Sequence, residues 1–189
     1  MSLPPGRRVK IEIGFGKGAS ILAAACDEPA TFFLGVEAAG SYAALVQARA
    51  RRAGIENALL LHGDGVKVLH ELPESSVDKI SVLFPDPWPK RRHAKRRIMG
   101  PAFIRLAATR LTRDGALVFK TDVESYFRGA VPLLDAEPLL ARALATSSPE
   151  RLARLAPITS FEKKYRVEGR RIFGCVYVRS DRPAGSLPP

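Results

Sequence analysis

The chain has 189 residues, 46% of them hydrophobic, and a formal net charge of +11. That length suits one domain with a sizeable core, and the apolar runs are too short to cross a membrane. Cys26 and Cys175 are too few for a disulfide framework and lack metal-ligand spacing, so we expect two thiols in a reducing cytoplasm and no metal site. Residues 1–8 lack the apolar segment of a secretory signal. The charge favours a phosphate-rich partner.

The first predicted strand, residues 9–13, ends in a glycine turn of sequence Gly14-Phe15-Gly16-Lys17-Gly18. A helix is predicted at residues 19–25. Glycines permit a tight turn and a close approach of the backbone to a ligand. The dinucleotide fingerprint Gly-x-Gly-x-x-Gly would place its third glycine at Ala19, so this spacing alone does not choose among nucleotide cofactors.

The next two predicted strands each lead to an acidic residue. Residues 32–37 end in Glu37, about 20 residues after the glycine turn, where a carboxylate that binds a ribose diol is expected. A helix at residues 41–52 connects to the strand at residues 58–62, which is followed by Asp64. Asp64 either faces the adenine of a cofactor or caps the short helix that starts near Val66.

A proline-rich loop follows the fourth predicted strand, residues 78–84. Pro85, Pro87 and Pro89 forbid both a helix and a central strand, so Asp86 and Trp88 lie on a stiff loop. Six of the eight residues 90–97 are basic. Because these cations repel one another, the run favours a phosphate partner over a merely solvated face. Trp88 either stacks on a base or anchors the loop on the core.

The remaining chain completes an alternating pattern. Helices are predicted at residues 101–111 and 125–134, and strands at residues 116–122, 139–145 and 172–179. Residues 147–157 form a loop or a short helix. This order predicts a doubly wound, Rossmann-like α/β fold with about seven mostly parallel strands. We expect one domain at residues 9–180, a short lead at 1–8 and a tail at 181–189.

A glycine turn after strand one and an acid after strand two suit either NAD or S-adenosylmethionine. Hydride transfer would need an acid/base pair on the substrate side, and none has clear spacing. Methyl transfer mainly requires alignment of donor and acceptor.

Several segments together resemble the bacterial tRNA (guanine-N7-)-methyltransferases of the TrmB type, across residues 9–179. They are residues 12–18, 35–37, 84–97, 120–122 and 159–165. The most specific of them is the proline-spaced loop with the basic run that follows it, residues 90–97, which we call the basic tail. The resemblance implies a class I methyltransferase that moves a methyl group from S-adenosylmethionine to N7 of guanine 46 in the tRNA variable loop. It leaves open whether the protein is a monomer or a homodimer.

The resemblance also implies roles for individual residues. Asp86 matches the position assigned to catalysis and also to cofactor contact. The other cofactor positions are Glu12, Gly14, Gly16, Gly18, Glu37 and Asp64. The substrate positions are Lys90, Asp122, Thr159 and Glu162. The basic tail supplies a tRNA phosphate patch of Arg91, Arg92, Lys95, Arg96 and Arg97. Thr159 and Glu162 also have the spacing of a helix capping box.

Three alternatives remain open. Another S-adenosylmethionine enzyme could modify adenine or a small molecule, because Asp86-Pro87-Trp88 faintly resembles the Asn/Asp-Pro-Pro-Tyr/Trp signature, although the second proline is missing. A non-catalytic RNA-binding protein could keep the fold, and so could a nicotinamide enzyme. Within the main hypothesis no general base is required, because guanine N7 has no proton to lose. Asp86 then orients the base and stabilises its developing positive charge.

Overall fold

The computed structural model of this chain describes residues 1–148, 151 and 157–180, without the Arg91 side chain. A seven-stranded sheet in the order β3-β2-β1-β4-β5-β7-β6 forms its centre. The first five strands in that order pair in parallel, and β7 is antiparallel to both β5 and β6. The strands are β1 Val9–Ile13, β2 Phe32–Glu37, β3 Ala58–His62, β4 Val77–Leu83, β5 Leu111–Thr121, β6 Leu140–Thr146 and β7 Phe173–Arg179.

Helices cover both faces of this sheet. They are α1 Ala19–Asp27, α2 Gly40–Arg52, α3 Gly65–Glu71, α4 Pro101–Arg110, α5 Glu124–Asp135 and α6 Ser160–Val167, with a 3₁₀ segment at Arg91–Arg96. The doubly wound fold predicted from the sequence is therefore confirmed. Most of the segment predicted as a loop or short helix, residues 147–157, and the predicted tail, residues 181–189, lie outside the described residues.

Strand periodicity explains why each face of the sheet is covered. Val9, Ile11 and Ile13 of β1 belong to the large core cluster, which includes residues of α3, α4 and α5. A second cluster, containing Phe15, Ile21 and Val46, joins α1 and α2 to the sheet. Alternate residues of a strand face opposite sides, so Lys10 and Glu12 are directed away from the large core.

Strand β5 is longer than the sequence predicts. Asp114-Gly115, a residue pair typical of turns, lies inside the strand, which begins at Leu111. Asp114 has φ 63°, and the pairing of β4 with β5 shifts register between Val77 and Lys79. The residues typical of a turn thus produce a local irregularity, but β5 pairs with β4 on both sides of it.

Candidate active site

Five predicted positions lie at one edge of the sheet. Asp64, Glu37, Gly14, Asp86 and Asp122 lie at or just beyond the carboxyl ends of β3, β2, β1, β4 and β5, in that spatial order. Ligands of open α/β sheets bind outside this edge. The parallel pairing thus brings together residues that are far apart in the sequence.

The glycine turn is an open cradle at the centre of the edge. Gly14, Gly16 and Gly18 all have positive φ, at 77°, 51° and 75°. A Cβ on Gly14 would meet no atom within 4 Å, whereas one on Gly18 would lie 2.3 Å from Cγ1 of Val46. Gly18 therefore permits close packing on α2, and Gly14 leaves space for a ligand against the backbone.

The Glu37 carboxylate closes the cradle on one side. Its Oε2 accepts a 2.7 Å hydrogen bond from the Gly16 amide, and its Oε1 accepts a 2.8 Å bond from the Ala39 amide. Each carboxylate oxygen can accept a further hydrogen bond, because it has two lone pairs. Glu37 therefore both shapes the turn and offers acceptors at the position expected for a ribose diol.

Asp64 caps α3 and also lines a groove. Its Oδ1 accepts a 2.8 Å hydrogen bond from the Val66 amide, so the N-cap role is present. The same residue is exposed and borders a groove of about 780 Å³ formed with the 94–103 segment and α5. That volume lies in the range of ligand pockets. The two interpretations of Asp64 are compatible.

Glu12 lies beneath the glycine turn. It is 7% exposed, and burial raises its pKa to about 8, although a hydrogen bond with Ser20 and the charges of Lys79 and Lys120 oppose that shift. At neutral pH the carboxyl group is therefore mostly protonated. Glu12 also lines a small cavity of about 10 Å³ together with the turn.

The Asp86 loop is strained on both sides of the carboxylate. Phe84 and Trp88 have φ 54° and 40°, in a region that residues other than glycine rarely adopt. Arg97 holds the loop, donating from Nε to the carbonyl oxygen of Pro87 at 2.7 Å and from a terminal nitrogen to that of Trp88 at 3.4 Å. Asp86 itself is exposed. Such strain is typical of functional loops.

Trp88 is engaged within the loop. The Arg96 guanidinium lies 4.8 Å from its ring centroid, and His93 packs edge-on against it at 5.8 Å. These contacts hold the ring against the basic tail and not against a core cluster of the described residues, so both interpretations of Trp88 stay predictions.

The basic tail divides into exposed and inward-facing members. Lys90, Arg92, Lys95 and Arg96 are exposed. Arg97 instead turns toward the core, where its guanidinium also lies 4.9 Å from the Tyr126 ring centroid. Arg97 therefore has a structural task besides any contact with phosphate. The Arg91 side chain lies outside the described residues.

On the far side of the loop, Asp122 is paired with a cation that the sequence motifs do not include. Arg170 donates to Asp122 Oδ2 at 2.8 Å, and its guanidinium lies 4.5 Å from the Tyr165 ring centroid. Arg170 follows the resembling segment by five residues, so the local cluster of positive charge is the signal that could have found it. The Asp122 carboxylate is thereby held in one orientation at the carboxyl end of β5.

Thr159 and Glu162 differ in their environment. The Thr159 hydroxyl oxygen accepts a 2.9 Å hydrogen bond from the Glu162 amide, which caps α6. The Glu162 side chain is fully buried, with Lys120 at 3.2 Å and Arg166 at 2.6 Å. Burial lowers the pKa of Lys120, and Glu162 opposes that shift. Thr159 borders a small cavity together with the glycine turn, whereas Glu162 lies below the surface.

Neither a metal centre nor a membrane span is found in the part of the chain that the structure describes. Across residues 1–148, 151 and 157–180, no group of three or more His, Cys, Asp or Glu side chains could hold a metal ion. No helix among these residues is both long and apolar enough to cross a membrane.

Comparison with solved structures defines the class of fold. The 16S rRNA methyltransferase KamB superposes with a TM-score of 0.69 and 18% identity, covering 92% of this chain and 88% of that one. The precorrin-6y C5,15-methyltransferase from Geobacter metallireducens superposes with a TM-score of 0.63 and 15% identity, covering 92% and 80%. These similarities, with the sheet order and the glycine turn, define a Rossmann-like fold of the class I methyltransferases.

Sequence comparison then identifies the family. Residues 6–175 match the model of a family described as "Putative methyltransferase". The tRNA (guanine-N(7)-)-methyltransferase of Leifsonia xyli subsp. xyli is 38% identical over 168 residues, which are 88% of this chain and 74% of that protein. The protein of the same name from Methylococcus capsulatus is 38% identical over 93% of this chain and 77% of its own length. The chain belongs to the bacterial tRNA (guanine-N7-)-methyltransferase family, and the predicted enzyme class is confirmed.

Proposed function

We propose that this protein transfers the methyl group of S-adenosylmethionine to N7 of a guanine in tRNA, and that the target is guanine 46 of the variable loop. One arrangement carries the proposal. The strained Asp86 loop, with its exposed cations, lies at the same sheet edge as the open glycine turn. The names of the relatives support tRNA as the substrate.

The cradle fits the cofactor. The free space over Gly14, the Glu37 acceptors and the groove beside Asp64 suit an amino acid, a ribose and a base, respectively. Glu12 lines the small cavity beside the turn, and Asp86 follows β4, the strand next to β1. We assign both residues to the cofactor side. When bound, S-adenosylmethionine supplies a methyl group on a sulfonium, which is already a good leaving group.

The acceptor side requires orientation and charge stabilisation from this chain. The carboxylates of Asp86 and Asp122 can accept hydrogen bonds from guanine N1–H and N2–H. Adenine does not present these two donors together. Binding adenine would leave a carboxylate without a hydrogen-bond partner, so adenine would bind more weakly than guanine. Methylation at N7 makes the base cationic, and a nearby carboxylate stabilises that charge. Thr159 and Lys90 complete the proposed acceptor side.

The basic tail provides a handle for the tRNA. We assign phosphate contacts to Arg91, Arg92, Lys95 and Arg96, and a mainly structural role to Arg97. Each phosphate contact releases counterions, so binding should weaken steeply as salt is added. A substrate of this kind agrees with the predicted cytoplasmic location.

The decisive experiment is transfer of a labelled methyl group to an unmodified tRNA transcript, followed by mapping of the modified base. We expect N7-methylguanosine at position 46 and no transfer to a transcript in which that guanine is adenine. A methyl group on any other atom would contradict the proposal. Binding of tRNA without binding of S-adenosylmethionine would instead indicate a non-catalytic RNA-binding protein.

A further inference from the structure

The N-terminal end of α6 lies over the glycine turn and carries an exposed aromatic ring there. Phe161 is 41% exposed, and a Cβ on Gly16 would lie 3.5 Å from its Cε2 atom. Phe161 and the turn border the same cavity of about 10 Å³, which is about the space of one water molecule. Phe161 belongs to none of the core clusters found among the described residues, so core packing does not account for its position.

Phe161 is also the outer member of a row of rings. Its centroid lies 6.1 Å from that of Tyr165, which lies 5.6 Å from that of Phe84. Phe84 is the residue at which the strained Asp86 loop begins. The row therefore extends from the proposed acceptor side to the turn that would hold the donor.

A charge cluster lies next to this ring. It consists of the buried Lys120–Glu162 pair with the partly exposed Arg166 at its edge, and we call it the buried charge cluster. Glu162 follows Phe161 directly and receives Lys120 from β5 and Arg166 from the next turn of α6. The side chains of Lys120 and Glu162 are 0% exposed. Buried ion pairs contribute little net stability, but breaking one is costly, so they can impose one geometry. Here the geometry they impose is the docking of α6 on the sheet.

We propose that Phe161 forms a roof over the site of methyl transfer, and that the buried charge cluster positions it. This inference rests on the proposed function. During transfer the N7 lone pair forms the new N–C bond, and the electron pair of the S–C bond returns to sulfur. Positive charge moves from sulfur to the base, and no proton is transferred. The face of an aromatic ring attracts a cation in both states.

The charge of the donor provides the test. S-adenosylmethionine is a sulfonium, whereas S-adenosylhomocysteine is a neutral thioether of nearly the same shape. We expect Phe161→Leu to weaken binding of the first by about fivefold and of the second by less than about twofold. Phe161→Tyr should retain wild-type affinities, and Val167→Ala, on the 90% exposed residue at the far end of α6, serves as the control. Equal losses for both ligands, or no loss, would overturn the role of the ring.

A double-mutant cycle tests the positioning role. Arg166 is partly exposed, so Arg166→Ala should leave the protein folded. We expect it to weaken binding of S-adenosylmethionine. We expect Phe161→Leu/Arg166→Ala to bind S-adenosylmethionine no more weakly than Phe161→Leu, because Arg166 acts through that ring. Additive losses would contradict this. Lys120→Met should behave likewise if it folds. This cycle is measured without tRNA, so it decides the inference separately from the proposed function even if the wild type methylates no tRNA.

Discussion

Arg97 and Pro87 are joined by a 2.7 Å hydrogen bond that ties the basic tail to the loop carrying Asp86. One end of the tail therefore fixes the geometry of the proposed catalytic loop, while its exposed members remain available to tRNA. The proposed tRNA-binding surface and the proposed catalytic loop are thereby linked over a short stretch of chain.

This division predicts different consequences for two neighbouring arginines. Arg97→Ala removes two donors from the carbonyl oxygens of a strained loop. We expect kcat to fall by about 10- to 100-fold, since such bonds contribute about 1.5–3 kcal/mol. The salt dependence of tRNA binding should change little.

Arg92→Ala is the matched control, because Arg92 is exposed. It should reduce the slope of log affinity against log salt by about 1 and leave kcat nearly unchanged. Binding measured across a salt series, together with single-turnover rates, separates the two. If Arg97→Ala reduced the slope as Arg92→Ala does, Arg97 would belong to the phosphate patch.

Mutations on the proposed cofactor side and on the proposed tRNA side of the site should have separate effects. Glu37→Gln removes charge from the group that accepts from Gly16 and Ala39, so we expect about tenfold weaker binding of S-adenosylmethionine. Asp122→Asn should leave that affinity intact and lower kcat/KM for tRNA. Calorimetry and steady-state kinetics measure the two effects. Loss of cofactor binding in Asp122→Asn would place Asp122 on the donor side.

Asp86→Asn tests the proposed charge stabilisation. The amide preserves shape but cannot stabilise a cationic base, so we expect loss of most methyl transfer with an unchanged melting temperature. Near-full activity in the folded variant would remove Asp86 from the catalytic role.

The raised pKa of Glu12 predicts that the stability of the folded protein depends on pH. Its pKa in the folded protein is about 8, above the ordinary value of 4.5, so the folded state binds more protons than the unfolded state between these values. The contribution of Glu12 is fully present below pH 4.5 and is lost as the pH rises through 8.

The variant Glu12→Gln lacks this titration. We expect the stability of the wild type relative to the variant to decrease from about pH 5 to about pH 8, by at most about 1.4 kcal/mol per pH unit. Lys79, whose pKa burial lowers to about 8, acts in the opposite direction and above that pH. Denaturant unfolding at several pH values measures the difference. A constant difference would show that Glu12 is ionised in the folded protein.

Local patterns in the amino-acid sequence determine the order of strands and helices along the chain, the glycine turn and the acids that follow successive strands. Parallel strands then bring their carboxyl ends to one edge of a sheet, whatever the details of packing. Gly14, Glu37 and Asp86 can therefore be assigned to one edge of the sheet from the sequence alone.

How individual side chains are used at this edge depends on the tertiary structure. The spacing of Thr159 and Glu162 is the same for a surface contact and for a cap, but packing against Lys120, 42 residues away, buries the glutamate. Likewise, the run of cations does not distinguish Arg97, which turns toward Pro87, from the exposed Arg92. The position of Phe161 over Gly16 depends on the docking of α6. Such choices arise from long-range packing, which local sequence patterns do not encode.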